Sequence, residues 1–304
     1  MHVLLLFVDG IGLGEEDPER NPLLVAPLPT LRRLFGQVPT RNNDHYRGPI
    51  AILIPTDTTL GVPGLPQSGT GQTTIFTGVN AAQAIGRHEG PYPNAALRDL
   101  IASGNIFHHL RAAGLEADFG NAYPPIFFER LARNKARRTA IMQAALSAGV
   151  RLRDIHDLRA GRAVSAMSLT NRVWVEHGAP VPLIGAREAG RNLMRLAREN
   201  DFTAFEYFLT DAAGHRNDHE WILQVLAELD EFWGGLLDEL DPADTLLLIT
   251  SDHGNVEDWS VKGHTLNPVG TILVGVGREE VAPQIHSLVD ITPAVLRLLG
   301  VEWK

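Results

Sequence analysis

The 304-residue chain contains no cysteine. That excludes a disulfide framework and thiolate metal ligands, so any transition-metal site must be built from His, Asp, Glu, hydroxyls or water. Lysine occurs only at Lys135, Lys262 and Lys304 while arginine is common, a balance that reads as genomic bias and not as function. Positive charge is not in surplus: Lys and Arg number 27 against 36 Asp and Glu, a formal net charge of −9. A general nucleic-acid binder would show a basic surface, so no nucleic-acid partner is expected. An anionic small molecule is still admissible, because a bound cation can reverse the local field. No apolar run is long enough to span a bilayer. The opening MHVLLLFVDG has neither a basic segment before its apolar stretch nor a small-residue cleavage site after it. It reads as a buried first strand, and a cytoplasmic protein with no membrane partner is expected.

What the chain does have is 44% hydrophobic residues, enough for a sizeable core, in a length that suits one large α/β domain with an insertion or two domains. Residues 2–8 are almost continuously apolar and end in Asp9-Gly10. Further strands are expected at 50–55, 115–123, 202–209, 244–250 and 270–276. Helical spacing appears at 29–35, from near Thr70 to Gly78, at 95–102 and 105–113 (with Gly114 as a C-cap), and at 186–199, 218–240 and 290–300. This alternation predicts an α/β fold, a mainly parallel sheet with helices on both faces. Residues 124–184 break the pattern with Pro124-Pro125, a basic stretch carrying Arg130, Arg133, Lys135, Arg137 and Arg138, and irregular segments. They read as a small inserted lid, leaving 1–123 and 185–304 as a metal-binding core domain.

In such sheets, sites form beyond the carboxyl ends of the strands. The first strand delivers Asp9. The strand at 202–209 runs into TDAAGH, with Asp211 and His215. The strand at 244–250 is followed by SDHGNVE, with Asp252 and His253. KGHTLNPVG places His264 before the strand at 270–276, and PQSGTGQTT offers Ser68. Taken singly, each has a plain reading as a cap or turn residue. Together they bring three Asp, three His and a hydroxyl to one edge of the sheet. Two divalent ions need anionic oxygens to offset their charge and imidazoles to fix geometry. Ions about 3.5–4 Å apart clamp a phosphoryl group and stabilise its entering and leaving oxygens. A metal-bound serine loses its proton more easily and becomes a nucleophile. Ser68 also precedes an expected helix, whose N-terminus favours a phosphate. Thr70 is a rival nucleophile, and N-capping would explain either hydroxyl.

At these motifs the chain resembles the alkaline phosphatase superfamily, in the branch of cofactor-independent phosphoglycerate mutase and phosphopentomutase. LLLFVDGIGLG is similar to the family's opening strand and first ligand, and LPQSGTGQTTIFTG to its nucleophile loop. TDAAGH, SDHGNVE and GHTLNPV resemble the remaining ligand motifs in order. The likeness covers roughly residues 1–90 and 200–304. It implies one ion held by Asp211, His215 and His264, and a second held by Asp9, Ser68, Asp252 and His253, with Gly254 letting the backbone turn. His219 has no counterpart and reads as a surface or supporting residue. Mn²⁺ and Zn²⁺ both suit these ligands. Gln72 stands where the mutases carry His, and Gly69 where phosphoglycerate mutase has an acidic residue. The insert is far smaller than the cap whose arginines retain the mutase substrate. Of the lid arginines, Arg130, Arg133, Arg137 and Arg138 could serve that purpose or simply be solvated. Thr70, Arg87, His88 and Lys262 are further candidate phosphate contacts. The resemblance implies phosphoryl transfer through a phosphoserine and pulls towards a mutase, but the small insert favours hydrolysis of a small phosphorylated metabolite, because a mutase must retain its dephosphorylated intermediate. A phosphomutase is the close alternative, and a phosphodiesterase or a non-catalytic metal-binding homologue are more distant ones. SGTGQ does not resemble a sulfatase motif. Oligomeric state is open.

Overall fold

Every side chain from Val3 to Val8 is buried, and successive residues enter different cores: Val3, Leu5 and Phe7 lie in one apolar cluster and Leu4, Leu6 and Val8 in the other. A strand covered on both faces has no side that favours polar residues, which is why this run shows no alternation. Each such side chain contributes about 1.5–3 kcal/mol of burial, making this strand the axis of the molecule. The structure, a computed structural model, describes residues 1–42 and 46–303. The strands are β1 (His2–Val8), β2 (Tyr46–Arg47), β3 (Ala51–Thr56), β4 (Ala117–Phe119), β5 (Phe202–Tyr207), β6 (Thr245–Thr250) and β7 (Val269–Gly275). They form one sheet of order β2-β3-β7-β6-β1-β5-β4.

The α/β architecture with helices on both faces is as expected, but the sheet is mixed. β4, β5, β1 and β6 are parallel, whereas β7, β3 and β2 each run antiparallel to their neighbours. The cause lies in the connections. Parallel neighbours need a crossover, usually helical. The segment 251–268 between β6 and β7 contains no helix and returns the chain directly. That loop carries Asp252, His253 and His264, so the reversal and the site share one segment.

One face of the sheet is covered by the helices Ala186–Ala197 and His219–Glu239 with the short helices Pro22–Val25 and Pro29–Phe35. The other face is covered by Ser68–Thr77, Ala95–Ser103, Ile106–Ala112, Ala140–Ser147 and Ile291–Leu298. The helix Ala140–Ser147 falls within the span expected as the lid, yet Ile141, Met142, Ala144 and Ala145 are buried against this core. The insert is therefore interrupted by a core helix. Its remainder has a small core of its own, with Leu158, Ala163, Trp174 and Val181 packed on Ala122. It is tied to the end of β4 by bridges Asn121–Val164 and Ala122–Arg153, and by a buried ion pair between Arg153 and Asp118. Among the described residues, no helix is long and apolar enough to cross a membrane.

Candidate metal centre

β1 ends at Val8 and hands its next residue, Asp9, to the sheet's carboxyl edge. β5 stops at Tyr207, two residues short of the expected end, and a helix, Leu209–Arg216, begins almost at once. Asp211 and His215 therefore sit one turn apart on a helix and share a face. The helix expected from near Thr70 begins at Ser68, with Gln67 as its N-cap. Ser68 is thus the first helical residue, and its hydroxyl turns to His253 instead of capping the helix.

All seven expected residues converge. His253 Nε2 lies 3.0 Å from Ser68 Oγ, 3.4 Å from Asp9 Oδ1 and 3.6 Å from Asp252 Oδ2. In a second group, His215 Nε2 is 3.4 Å from Asp211 Oδ2 and 3.2 Å from His264 Nε2, and His264 Nε2 is 3.6 Å from Asp211 Oδ1. The groups adjoin, because the His253 and His264 rings stack with centroids 3.6 Å apart. Donor atoms of Asp9, Asp252 and His253 lie within 4.8 Å of one another, as do those of Asp211, His253 and His264. His253 therefore stands between the two groups, whereas the resemblance places it with one. The first group is buried; His215 is half exposed and marks the solvent side.

The electrostatics of this cluster call for a cation. Among the described residues, no Lys or Arg pairs with Asp9, Asp211 or Asp252, and Asp9 Oδ1 is buried without a hydrogen-bond partner. Burial, and then the charge of Asp252, push the Asp9 carboxyl well up. Burial and the Asp211 charge raise Asp252 to about 7. Burial drives His253 down to about 3, so its imidazole is neutral at physiological pH and free to bind a metal. Buried, mutually repelling carboxylates are costly until a positive charge joins them. Carboxylate oxygens with neutral imidazoles fit divalent ions such as Mn²⁺ or Zn²⁺.

Three supporting residues escaped the sequence reading. Gln72, the departure from the mutase pattern, is buried, and its Nε2 donates to Asp9 Oδ2 (3.3 Å) and Asp252 Oδ2 (3.5 Å). Asn255 Nδ2 donates to Asp211 Oδ1 at 2.7 Å and orients that carboxylate. Glu257 is fully buried: Oε2 accepts from the Gly12 and Asn255 amides, and Oε1 from Thr265 Oγ1 and Asn267 Nδ2. It ties together the loops that present Asp9, Asp252, His253 and His264. The only sequence signal was the presence of Asn255 and Glu257 in SDHGNVE and of Thr265 and Asn267 in GHTLNPV. Glu257 also explains Gly254, whose φ is not positive. A Cβ there would stand 2.2 Å from Glu257 Oε1, so the glycine clears space and is not needed for the turn. Gly71 does the same for the helix Ser68–Thr77, since its Cβ would lie 2.7 Å from Asp252 Cβ. Glu257→Ala, which strands four buried donors, should destabilise the protein by at least ~3 kcal/mol in urea unfolding. Metal affinity should fall with it.

The other candidates are engaged elsewhere. The Thr70 amide donates to the Glu89 carbonyl and its hydroxyl to the Gln67 carbonyl. Arg87 forks onto Glu89, His88 lies 3.2 Å from the Val62 carbonyl, and Lys262 is exposed. None of these contacts reaches the seven residues. His219 stacks on Trp259 with centroids 4.2 Å apart, as expected for a surface residue.

The family model described as "Metalloenzyme superfamily" matches residues 1–303. Among curated proteins, a 2,3-bisphosphoglycerate-independent phosphoglycerate mutase of Acetivibrio thermocellus is 32% identical over 112 residues, 34% of this chain and 22% of the relative. The match thus spans about a fifth of the relative's length. Among solved structures, a Pyrococcus horikoshii protein superposes with a TM-score of 0.60 at 16% identity, covering 100% of this chain and 98% of the other. The alkaline phosphatase of the Antarctic bacterium TAB5 superposes with a TM-score of 0.55 at 13% identity, covering 99% of each chain. At such identities the superpositions establish a shared fold, and the alkaline-phosphatase-like architecture expected from the motifs stands.

Proposed function

The chain belongs to the metalloenzyme superfamily, and from that premise we propose that it is a metal-dependent phosphoryl-transfer enzyme that hydrolyses a small phosphorylated metabolite through a phosphoserine at Ser68. The observation that carries this reading is the placement of the Ser68 hydroxyl at a helix N-terminus, 3.0 Å from His253, whose ring nitrogen also faces Asp9 with its buried, unpartnered Oδ1 and Asp252. Asp211, His215 and His264 are the ligands of one divalent ion, and Asp9, Ser68, Asp252 and His253 those of a second. Bound there, the ions supply the positive charge that offsets the phosphate oxygens and activates the serine.

The chain's own residues do the rest. Gln72 separates and orients Asp9 and Asp252, and Asn255 orients Asp211. The helix Ser68–Thr77 directs its positive end toward the phosphate. Ser68 Oγ attacks phosphorus in line, and the bond to the leaving alcohol oxygen breaks as that oxygen takes a proton. Water then attacks the phosphoserine, releasing inorganic phosphate and restoring the hydroxyl. The charge change at phosphorus is met by groups already in place, which is where most of the acceleration in such transfers arises.

A phosphomutase is the second reading, favoured by the mutase named among the curated relatives. In it, a hydroxyl of the retained substrate takes the phosphate in place of water. A panel of phosphorylated metabolites, assayed with Mn²⁺ or Zn²⁺, separates the two by scoring released phosphate against isomerised product. Hydrolysis predicts stoichiometric phosphate release. Isomerised ester without free phosphate would replace it with the mutase reading, and inertness of every ester under both metals would remove both.

A further inference from the structure

Between the insert and the β4–β5 edge lies a cavity of about 560 Å³, within the roughly 300–1,000 Å³ range of pockets that enclose drug-sized ligands. Its wall is mainly aromatic and apolar, with Tyr123, Phe127, Met142, Trp174 and Phe208 among the lining residues. Tyr123 and Phe127 are stacked, their centroids 4.5 Å apart and their planes 29° from parallel. One carboxyl reaches this wall. Glu206 is only 2% exposed; its Oε2 accepts from Thr139 Oγ1 at 2.9 Å, and its Oε1 is buried with no partner.

None of the seven residues of the metal centre lines the cavity, but two of its wall residues sit near them. Phe208 immediately precedes the helix that carries Asp211 and His215. Tyr92, also on the wall, has its carbonyl oxygen 3.1 Å from where a Cβ on Gly69 would stand, next to Ser68. The Arg137 guanidinium lies 5.6 Å from the Tyr92 ring centroid. Arg137 also lines the cavity, so a cation stands on its wall beside Tyr92. Arg130 also lines the wall, while Arg133 and Arg138 do not.

We infer that this cavity holds the alcohol half of the phosphomonoester, and that this half is an aromatic or similarly flat apolar group bearing a hydroxyl or amine that hydrogen-bonds Glu206. The inference rests on the phosphoryl-transfer reading for the phosphate, and on the cavity alone for the rest. Stacked aromatic walls favour flat rings. A buried carboxyl oxygen without a partner is costly, and burial lifts Glu206 to about 8, so it can donate as well as accept at neutral pH; a ligand that supplies the missing partner is selected over one that lacks it. A three-carbon acid would leave most of the volume unfilled.

The test begins without metal or phosphate. Tyramine, tryptamine and 4-hydroxybenzyl alcohol are titrated into metal-free protein and followed by calorimetry, with glycerate as the control. We expect at least one aromatic probe to bind and glycerate not to. Binding should weaken at least tenfold in Glu206→Gln, which keeps the contact to Thr139, and in Phe127→Ala, with thermal melts confirming that both variants fold. No binding by any aromatic probe, or binding unchanged in both variants, overturns the inference. In a second arm, the phosphate esters of these probes are compared with 3-phosphoglycerate on metal-loaded protein. An advantage of tenfold or more for the aromatic esters in kcat/KM, lost in Glu206→Gln, supports the assignment. Probes that bind while every ester stays intact support the cavity assignment and remove only the phosphoryl-transfer reading.

Discussion

Ser68→Ala should lower phosphate release by on the order of a thousandfold or more, equivalent to ~4 kcal/mol of barrier, while divalent metal still binds. The residue supplies one hydroxyl at the start of a helix and no charge. Asp9, Asp252 and His253 surround it and hold each other through contacts that do not involve the serine: His253 to Asp9 at 3.4 Å, His253 to Asp252 at 3.6 Å, and Gln72 to both carboxylates. Removing Oγ therefore deletes the nucleophile and leaves the cage. The measurement is p-nitrophenyl phosphate turnover beside calorimetric metal titration. Acid-quenched wild-type enzyme should also yield phosphoserine at position 68, and the variant none. Full activity in the variant would transfer the role to water or to Thr70. The structure makes Thr70 the poorer rival, because its amide and hydroxyl are both bound to backbone carbonyls of Glu89 and Gln67.

Asp252→Asn should remove the share of metal-induced stabilisation that comes from the ion held by Asp9, Ser68, Asp252 and His253, while making the metal-free protein more stable above neutral pH. Asp252 is raised to about 7 by burial and by Asp211, against an ordinary value near 4. For a carboxyl whose folded pKa lies above its unfolded one, the native state holds more protons. Stability is then full below the unfolded value and is lost as pH rises through the folded one. At about 1.4 kcal/mol per unit, the shift amounts to a few kcal/mol. Metal-free wild type and variant should therefore melt alike near pH 4 and separate progressively between pH 4 and 8, the variant becoming the higher. His253, held down to about 3 by burial, opposes this trend in both proteins, and the difference between them reports the loss of Asp252 together with the relief of Asp9, which the Asp252 charge also raises. Adding Mn²⁺ or Zn²⁺ at a thousandfold its dissociation constant stabilises a native state by ~4 kcal/mol. Wild type should show that gain for each ion at pH 8, less of it as protons compete below pH 7, and the variant should keep only the part owed to the ion at Asp211, His215 and His264. An unchanged metal response in Asp252→Asn would remove this carboxylate from the ligand set.

The strand-end ligands were legible because each follows an apolar run with no polar alternation, and a parallel core delivers such residues to one edge. The supporting residues were not. Gln72 reads as a substitution in a motif until its amide is seen between two carboxylates. Glu257 looks like a loop acid, yet it is buried under four hydrogen bonds from three separate segments. Gly254 reads as a turn glycine, and only the position of Glu257 shows that it makes room. The helix Ala140–Ser147 was assigned to the lid because the proline-rich and basic stretch before it masks a change of role, from insert to core.

By itself the sequence determined which side chains meet at the candidate metal centre and that a doubly covered sheet presents them, since burial on both faces and side-chain type are written in residue identity and spacing. Tertiary structure alone decided the antiparallel half of the sheet, the keystone at Glu257 and the aromatic cavity between the insert and the β4–β5 edge. Strand direction, buried hydrogen-bond partners and cavity walls depend on which distant segments meet, and local pattern carries no record of that.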